Sequence, residues 1–124
     1  MKAVGLDAIE IERVAEAIER HGERFLSRIY TAEERRLGEA SGAAASQFYA
    51  GRFAAKEAVL KALGTGYAQG LGFHEAEILR NPNGAPRLVL RGAARARAAD
   101  LGITKILVSI THTRTDAHAV AVAE

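Results

Sequence analysis

Two charged residues four apart in an otherwise apolar stretch carry the first chemical signal in this sequence. In Arg52-Phe53-Ala54-Ala55-Lys56-Glu57-Ala58-Val59-Leu60-Lys61-Ala62-Leu63-Gly64-Thr65-Gly66, the Glu57 carboxylate and the Lys61 ammonium fall about 40° apart on a helical wheel and face one ligand. Ala50, Ala54 and Ala58 lie beside them, so a strand or a bulky anion can come close to the helix backbone. By spacing alone this is a common i,i+4 ion pair, worth roughly a few tenths of a kcal/mol when exposed. Gly64 and Gly66 bracket Thr65 at the helix end, where backbone without Cβ atoms leaves room for a ligand. Glycine is also the ordinary way for a helix to stop.

Asp7 gives the pair a third member. Aspartate is depleted in strands, yet Asp7 sits in an apolar run with Val4, Leu6 and Ile9. Buried and unpaired, its carboxylate would cost on the order of several kcal/mol or take up a proton, so it needs a cation. An arginine or a hydrogen bond at the strand end is one solution, and a divalent metal shared with Glu57 is the other. Magnesium suits two carboxylates because it dehydrates reluctantly and completes its shell with waters and substrate phosphate oxygens.

A strand and a helix must bring these residues together. Lys2 to Ile11 reads as a strand with apolar residues at both parities, the pattern of a strand covered on both faces. A helix follows from about Glu10, with Ile11, Val14, Ala15 and Ile18 on one side and His21-Gly22 as its stop, and then a short turn through Phe25 and Ile29. Thr31-Ala32-Glu33-Glu34 has the spacing of a capping box and opens a helix to about Ala40. The long helix runs from roughly Ala44 to Leu63 and is apolar around so much of its circumference that it is buried on several sides. Its apolar arc also holds Arg52 and Lys56, which suit a site completed by a neighbouring subunit. Phe73 to Leu79 and Pro86 to Leu90 flank Asn81-Pro82-Asn83-Gly84 as a hairpin. Gly92 to Ala99 reads as a helix, and Thr104 to Thr111 and Ala117 to Ala123 as the last strands. Helices and hairpins are segregated rather than alternating, so the fold class is α+β, with a mainly antiparallel sheet packed against a long central helix.

Composition narrows the functions. The 124 residues, 48% of them hydrophobic, suit one domain over positions 1–124. The absence of cysteine excludes disulfides, thiolate catalysis and cysteine-based zinc sites, so any metal sits on oxygen or imidazole ligands. Seventeen Lys and Arg against 15 Asp and Glu leave a net charge of +2, which argues against a nucleic-acid partner. No apolar run approaches the roughly 20 residues that span a bilayer. Met1 leads directly into the first strand rather than into a leader, and the expectation is a cytoplasmic protein with no membrane partner.

Gly5-Leu6-Asp7-Ala8-Ile9-Glu10-Ile11 with Arg13, the segment from Phe53 to Gly66, and Ser109-Ile110-Thr111-His112 together resemble the three signatures of the small bacterial 4'-phosphopantetheinyl transferases of the acyl-carrier-protein synthase type. The resemblance covers nearly the whole chain, in the right order. It implies the 4'-phosphopantetheinyl transferase fold and a homotrimer with active sites between subunits. It also implies transfer of 4'-phosphopantetheine from coenzyme A to a serine of apo acyl carrier protein, releasing adenosine 3',5'-bisphosphate. Asp7 and Glu57 match the family's Mg²⁺ ligands and Lys61 its pyrophosphate contact, which makes Asp7, Glu57 and Lys61 the catalytic set. Arg52, Lys61, Gly64, Thr65, Gly66 and His112 make up the implied coenzyme A contacts. Glu57 or a water would take the serine proton. Ala8 replaces a larger aliphatic, and Thr111 stands where serine often precedes the histidine; neither removes a ligand or a charge. Without the resemblance His112 reads as structural, as His74 and His118 do.

Arg13, Arg20, Arg24 and Arg28, spaced seven, four and four, align on one side if the first helix and the following turn are collinear. A solvated face with pairs such as Glu16 to Arg20 is the plainer reading. The resemblance implies a partner with an acidic recognition helix, so Arg13, Arg20 and Arg24, with Phe25 as an apolar anchor, form the expected carrier-protein surface. Two readings compete with the transferase: a noncatalytic basic α+β module binding RNA or an acidic protein, and a trimeric scaffold without catalysis.

Overall fold

Small residues decide how closely the long helix meets the sheet. The computed structural model describes residues 1–64 and 72–124; the expected donor contacts Thr65 and Gly66 lie outside them. The chain runs β1 (Ala3–Glu10), α1 (Ile11–His21), α2 (Glu23–Ile29), α3 (Ala32–Ala40), α4 (Ala45–Ala62), β2 (Ala76–Arg80), β3 (Pro86–Leu90), α5 (Gly92–Asp100), β4 (Ile106–His112) and β5 (Asp116–Ala123). Strands β1, β5 and β4 form an antiparallel sheet in that order, and β2 and β3 a separate antiparallel hairpin. Helix α4 lies across all three strands of the larger sheet and also meets α1, α3 and β2, as a helix apolar on several sides requires.

The inner face of β5 is alanine throughout: Ala117, Ala119, Ala121 and Ala123 are buried. Opposite them α4 presents the buried Ala50, Ala54, Ala58 and Ala62. At Gly5 on β1 the two backbones touch, and a Cβ built there would stand 1.8 Å from the Ala58 carbonyl oxygen. No side chain fits.

Several expectations change in the structure. Strand β1 is covered on one face only: Gly5 is buried, whereas Val4 and Leu6 are 55% and 66% exposed. The apolar residues of both parities therefore mark a second face left uncovered by this chain. The segment after Gly22 is a helix, α2, rather than a turn. Phe73–Glu75 forms a 3₁₀ turn ahead of β2, because the turn keeps the Phe73 and Ala76 carbonyls within reach of Lys56. Lys56 itself is fully buried within the chain and faces no neighbouring subunit. The capping box at Thr31 forms as expected, with the Thr31 hydroxyl on the Glu34 amide and the Glu34 carboxylate on the Thr31 amide.

Gly5→Ala is expected to destabilise the protein by about 3 kcal/mol or more, since the clash is with backbone and no rotamer relieves it. Urea denaturation measures the loss; a change under about 1 kcal/mol would show that the contact between β1 and α4 can open without penalty.

Candidate active site

Alternation along β1 turns Ala3, Gly5, Asp7 and Ile9 toward α4. The close contact at Gly5 brings the next inward residue, Asp7, to the last turn of α4. There the Lys61 ammonium donates to Asp7 Oδ1 at 2.9 Å and to the Leu6 carbonyl at 3.0 Å. Lys61 thus pairs across to the strand rather than along its own helix to Glu57. The Asp7 side chain is 16% exposed and that of Lys61 51%, so the pair sits at a surface open to an incoming ligand. Glu57 is half-buried beside them. Desolvation, and then the negative charge of Asp7, raise its carboxyl above the usual range, with Lys61 opposing the shift. The three expected catalytic side chains therefore form one cluster at the β1 edge of the sheet.

The donor set suits a hard divalent cation. Glu57 and Asp7 repel each other across a partly dry gap, a conflict that a cation between them would remove. Among the described residues no cluster of three or more metal-ligating side chains occurs, so a cation here would find two carboxylates from the protein. Magnesium is commonly held in this way.

Of the other expected donor contacts, Gly64 follows α4 and lines a separate pocket with Lys2 and Arg97, and Arg52 and His112 lie elsewhere. Arg52 and His112 line a cavity of about 320 Å³ together with Ser41, Gln47, Phe48 and Arg80. At 100° per residue, Phe48 and Arg52 stand about 140–180° around α4 from Glu57 and Lys61. The sheet gives the same result: Asp7 and Ile110 flank Ala119 on one rung, and Ile110, like His112, belongs to this cavity. The carboxylate cluster and the cavity thus occupy opposite edges of the sheet, about 10 Å apart by strand spacing. Within one chain they do not meet.

The cavity is cationic. Arg52 lies over the Phe48 ring at 4.4 Å and Arg80 approaches the same ring at 5.9 Å. Burial, and then the nearby Arg80, lower the pKa of Arg52 to about 10. Among the described residues no carboxylate lines the space, so two guanidinium groups and an imidazole face it, an arrangement that an anion relieves. Arg80 was not legible in the sequence because it ends β2 before a turn and belongs to no spacing pattern; only the fold carries it to Phe48.

The arginine series divides at Gly22, whose φ of 51° ends α1 in a conformation that favours glycine. Arg13 and Arg20 share a face of α1, as a spacing of seven requires, and line a shallow surface pocket with Glu16 and His21. Arg24 and Arg28 are exposed on α2, so the four do not form one straight helical row. Phe25 is half-buried and sets its ring edge-on to Tyr30. His74 bonds the Ser27 carbonyl at 2.7 Å, the structural role expected of it.

A family model described as the 4'-phosphopantetheinyl transferase superfamily matches residues 3–123. The chain belongs to this family. A curated relative, the holo-[acyl-carrier-protein] synthase of Solidesulfovibrio magneticus, is 48% identical over 124 residues, covering 100% of this chain and 98% of the relative. Among solved structures, the Helicobacter pylori holo-[acyl-carrier-protein] synthase in complex with coenzyme A is 30% identical with a TM-score of 0.85, covering 98% of this chain and 99% of that one. The Neisseria meningitidis synthase is 30% identical with a TM-score of 0.88, covering 100% and 98%. The α+β fold of a 4'-phosphopantetheinyl transferase is thereby shown.

Glu57 supplies a stability test of the cluster. Its proton is held more tightly in the folded protein than in the unfolded chain, so the ionised carboxylate weakens folding above the raised pKa, and the effect ends below the ordinary value of 4.5, where both states are protonated. In metal-free protein Glu57→Gln is expected to raise the thermal midpoint at neutral pH, with the gain vanishing as the pH falls below 4.5. Scanning calorimetry across that range checks the sign.

Proposed function

We propose that the chain is a Mg²⁺-dependent transferase that moves the 4'-phosphopantetheine group of coenzyme A onto a serine of apo acyl carrier protein, giving holo acyl carrier protein and adenosine 3',5'-bisphosphate. The observation that carries the reading is the meeting of Asp7, Glu57 and Lys61 from two distant parts of the sequence in a member of this family. No helix among the described residues is long and apolar enough to cross a membrane, in keeping with a cytoplasmic reaction serving fatty acid biosynthesis. The alternative of a noncatalytic basic module binding RNA or an acidic protein leaves the Asp7, Glu57 and Lys61 cluster without a role.

In the reaction the serine oxygen attacks the phosphorus that carries pantetheine, the bond to the bridging diphosphate oxygen breaks, and the bisphosphate leaves with the electron pair. A magnesium ion held by Asp7 and Glu57 would neutralise charge on the diphosphate. Lys61 places a second cation on the same oxygens, and such fixed charge carries most of the catalysis in transfers of this kind. Glu57 or a nearby water would receive the serine proton. Arg52 and His112 bind the phosphorylated nucleotide in their cationic cavity. By the resemblance, Gly64, Thr65 and Gly66 would contact the donor. Arg13, Arg20, Arg24 and Phe25 dock the acidic carrier.

The separation of the two half-sites supports a homotrimer. The uncovered sheet face carries Val4, Leu6 and Leu107, the last 49% exposed, with Val120 and Val122 between them in register. Exposed apolar surface of this kind marks an interface. Joining the β1 edge of one subunit to the β4 edge of the next would bring the carboxylate cluster to a neighbour's Arg52 and His112.

Release of adenosine 3',5'-bisphosphate from coenzyme A, dependent on both apo carrier protein and Mg²⁺, tests the reaction; release unaffected by EDTA would refute the metal. Asp7→Asn and Glu57→Gln are each expected to lower transfer at least ~100-fold while the circular dichroism spectrum stays that of the folded protein. Arg13→Glu and Arg20→Glu should raise the KM for carrier protein about 5- to 10-fold and leave that for coenzyme A unchanged; equal loss of both would remove the docking assignment.

A further inference from the structure

The transfer chemistry leaves Lys56 unused. Its side chain and that of Glu34 are both 0% exposed, and Nζ lies 2.8 Å from Glu34 Oε1. The ammonium also donates to the carbonyls of Phe73 and Ala76, each at 2.9 Å, so all three of its protons are engaged. Glu34 in turn accepts from the Thr31 amide at 2.8 Å and from the Ile78 amide at 2.7 Å. The pair joins the start of α3, the middle of α4 and the chain entering β2.

Ile78 connects this pair to the nucleotide cavity. Its amide bonds Glu34, while its carbonyl accepts from Arg52 Nε at 3.3 Å and the next carbonyl, Leu79, accepts from the Arg52 terminal nitrogen at 3.2 Å. Arg52, one turn before Lys56 on α4, is held by backbone whose position the buried pair sets. A buried ion pair adds little to stability, and apolar groups of similar volume commonly replace one without loss. What it supplies here is placement.

We propose that Glu34 and Lys56 are positioning residues for donor binding: they fix β2 against α4 so that Arg52 presents its guanidinium group to the coenzyme A nucleotide. The inference rests on the assignment of Arg52 to the donor made above. Its test is a cycle of Glu34→Gln/Lys56→Met, Arg52→Ala and the combination, read by calorimetric titration with coenzyme A and by steady-state kinetics. Glu34→Gln/Lys56→Met, which leaves the Phe73 and Ala76 carbonyls without the ammonium, is expected to stay folded at the assay temperature with a lowered thermal midpoint, to keep its KM for carrier protein, to weaken coenzyme A binding about tenfold or more, and to add nothing in the Arg52→Ala background. Unchanged coenzyme A affinity, or losses that add, would overturn the positioning role alone. Unchanged affinity in Arg52→Ala would instead overturn the cavity assignment, and the positioning role with it. Should the double replacement fail to fold, Glu34→Gln/Lys56→Gln, a neutral pair that keeps an acceptor for Ile78 and a donor for the Phe73 and Ala76 carbonyls, gives the same reading.

Discussion

The contact between the Gly5 backbone and the Ala58 carbonyl sets the geometry on which the candidate chemistry depends. From that point Asp7 lies about 7 Å along the strand, and Lys61 about 4.5 Å along the helix. A side chain at position 5 would push the two elements apart and open the gap that Lys61 now bridges at 2.9 Å. The alanines of β5 and α4 extend this close approach across the sheet. Packing of small residues thus fixes the distance between Asp7 and Lys61.

Much of this was legible in the sequence, for identifiable reasons. Asp7 stood out because a carboxylate in an apolar strand demands a cation, and Thr31 with Glu34 because the capping box is a local hydrogen-bond pattern. Other features depend on tertiary structure. The residues of β1 show apolar character at both parities but not that this chain leaves one face uncovered. Lys56 in an apolar arc reads as part of a site completed by a neighbouring subunit, and only the fold shows its partner, Glu34, 22 positions earlier in the same chain. Arg80 has no periodicity at all. Phe73–Glu75 reads as strand from its neighbours, yet the hydrogen-bonding demand of one ammonium group holds it as a turn.

Helix α4 explains why so apolar an element carries so many charges. Glu57 and Lys61 serve one edge of the sheet and Arg52 the other, while Lys56 points between them into the interior. Each charge occupies its own sector and has a different environment: a carboxylate made more basic by burial, an arginine made less so, and a lysine whose pKa is lowered by desolvation against the pull of Glu34. The helix is one rigid rod, so the spacing between the carboxylate cluster and the cationic cavity is set by its diameter and by the strand between them.

In the homotrimer proposed above, the placement of those two half-sites on opposite edges would have a genetic consequence. In a ring of three copies, every reaction centre would draw its acidic half from one polypeptide and its basic half from the next. Two alleles, one lacking the acid and the other lacking the arginine, would yield hybrid rings in which some centres regain both halves, while a lesion in a single copy would be diluted rather than dominant.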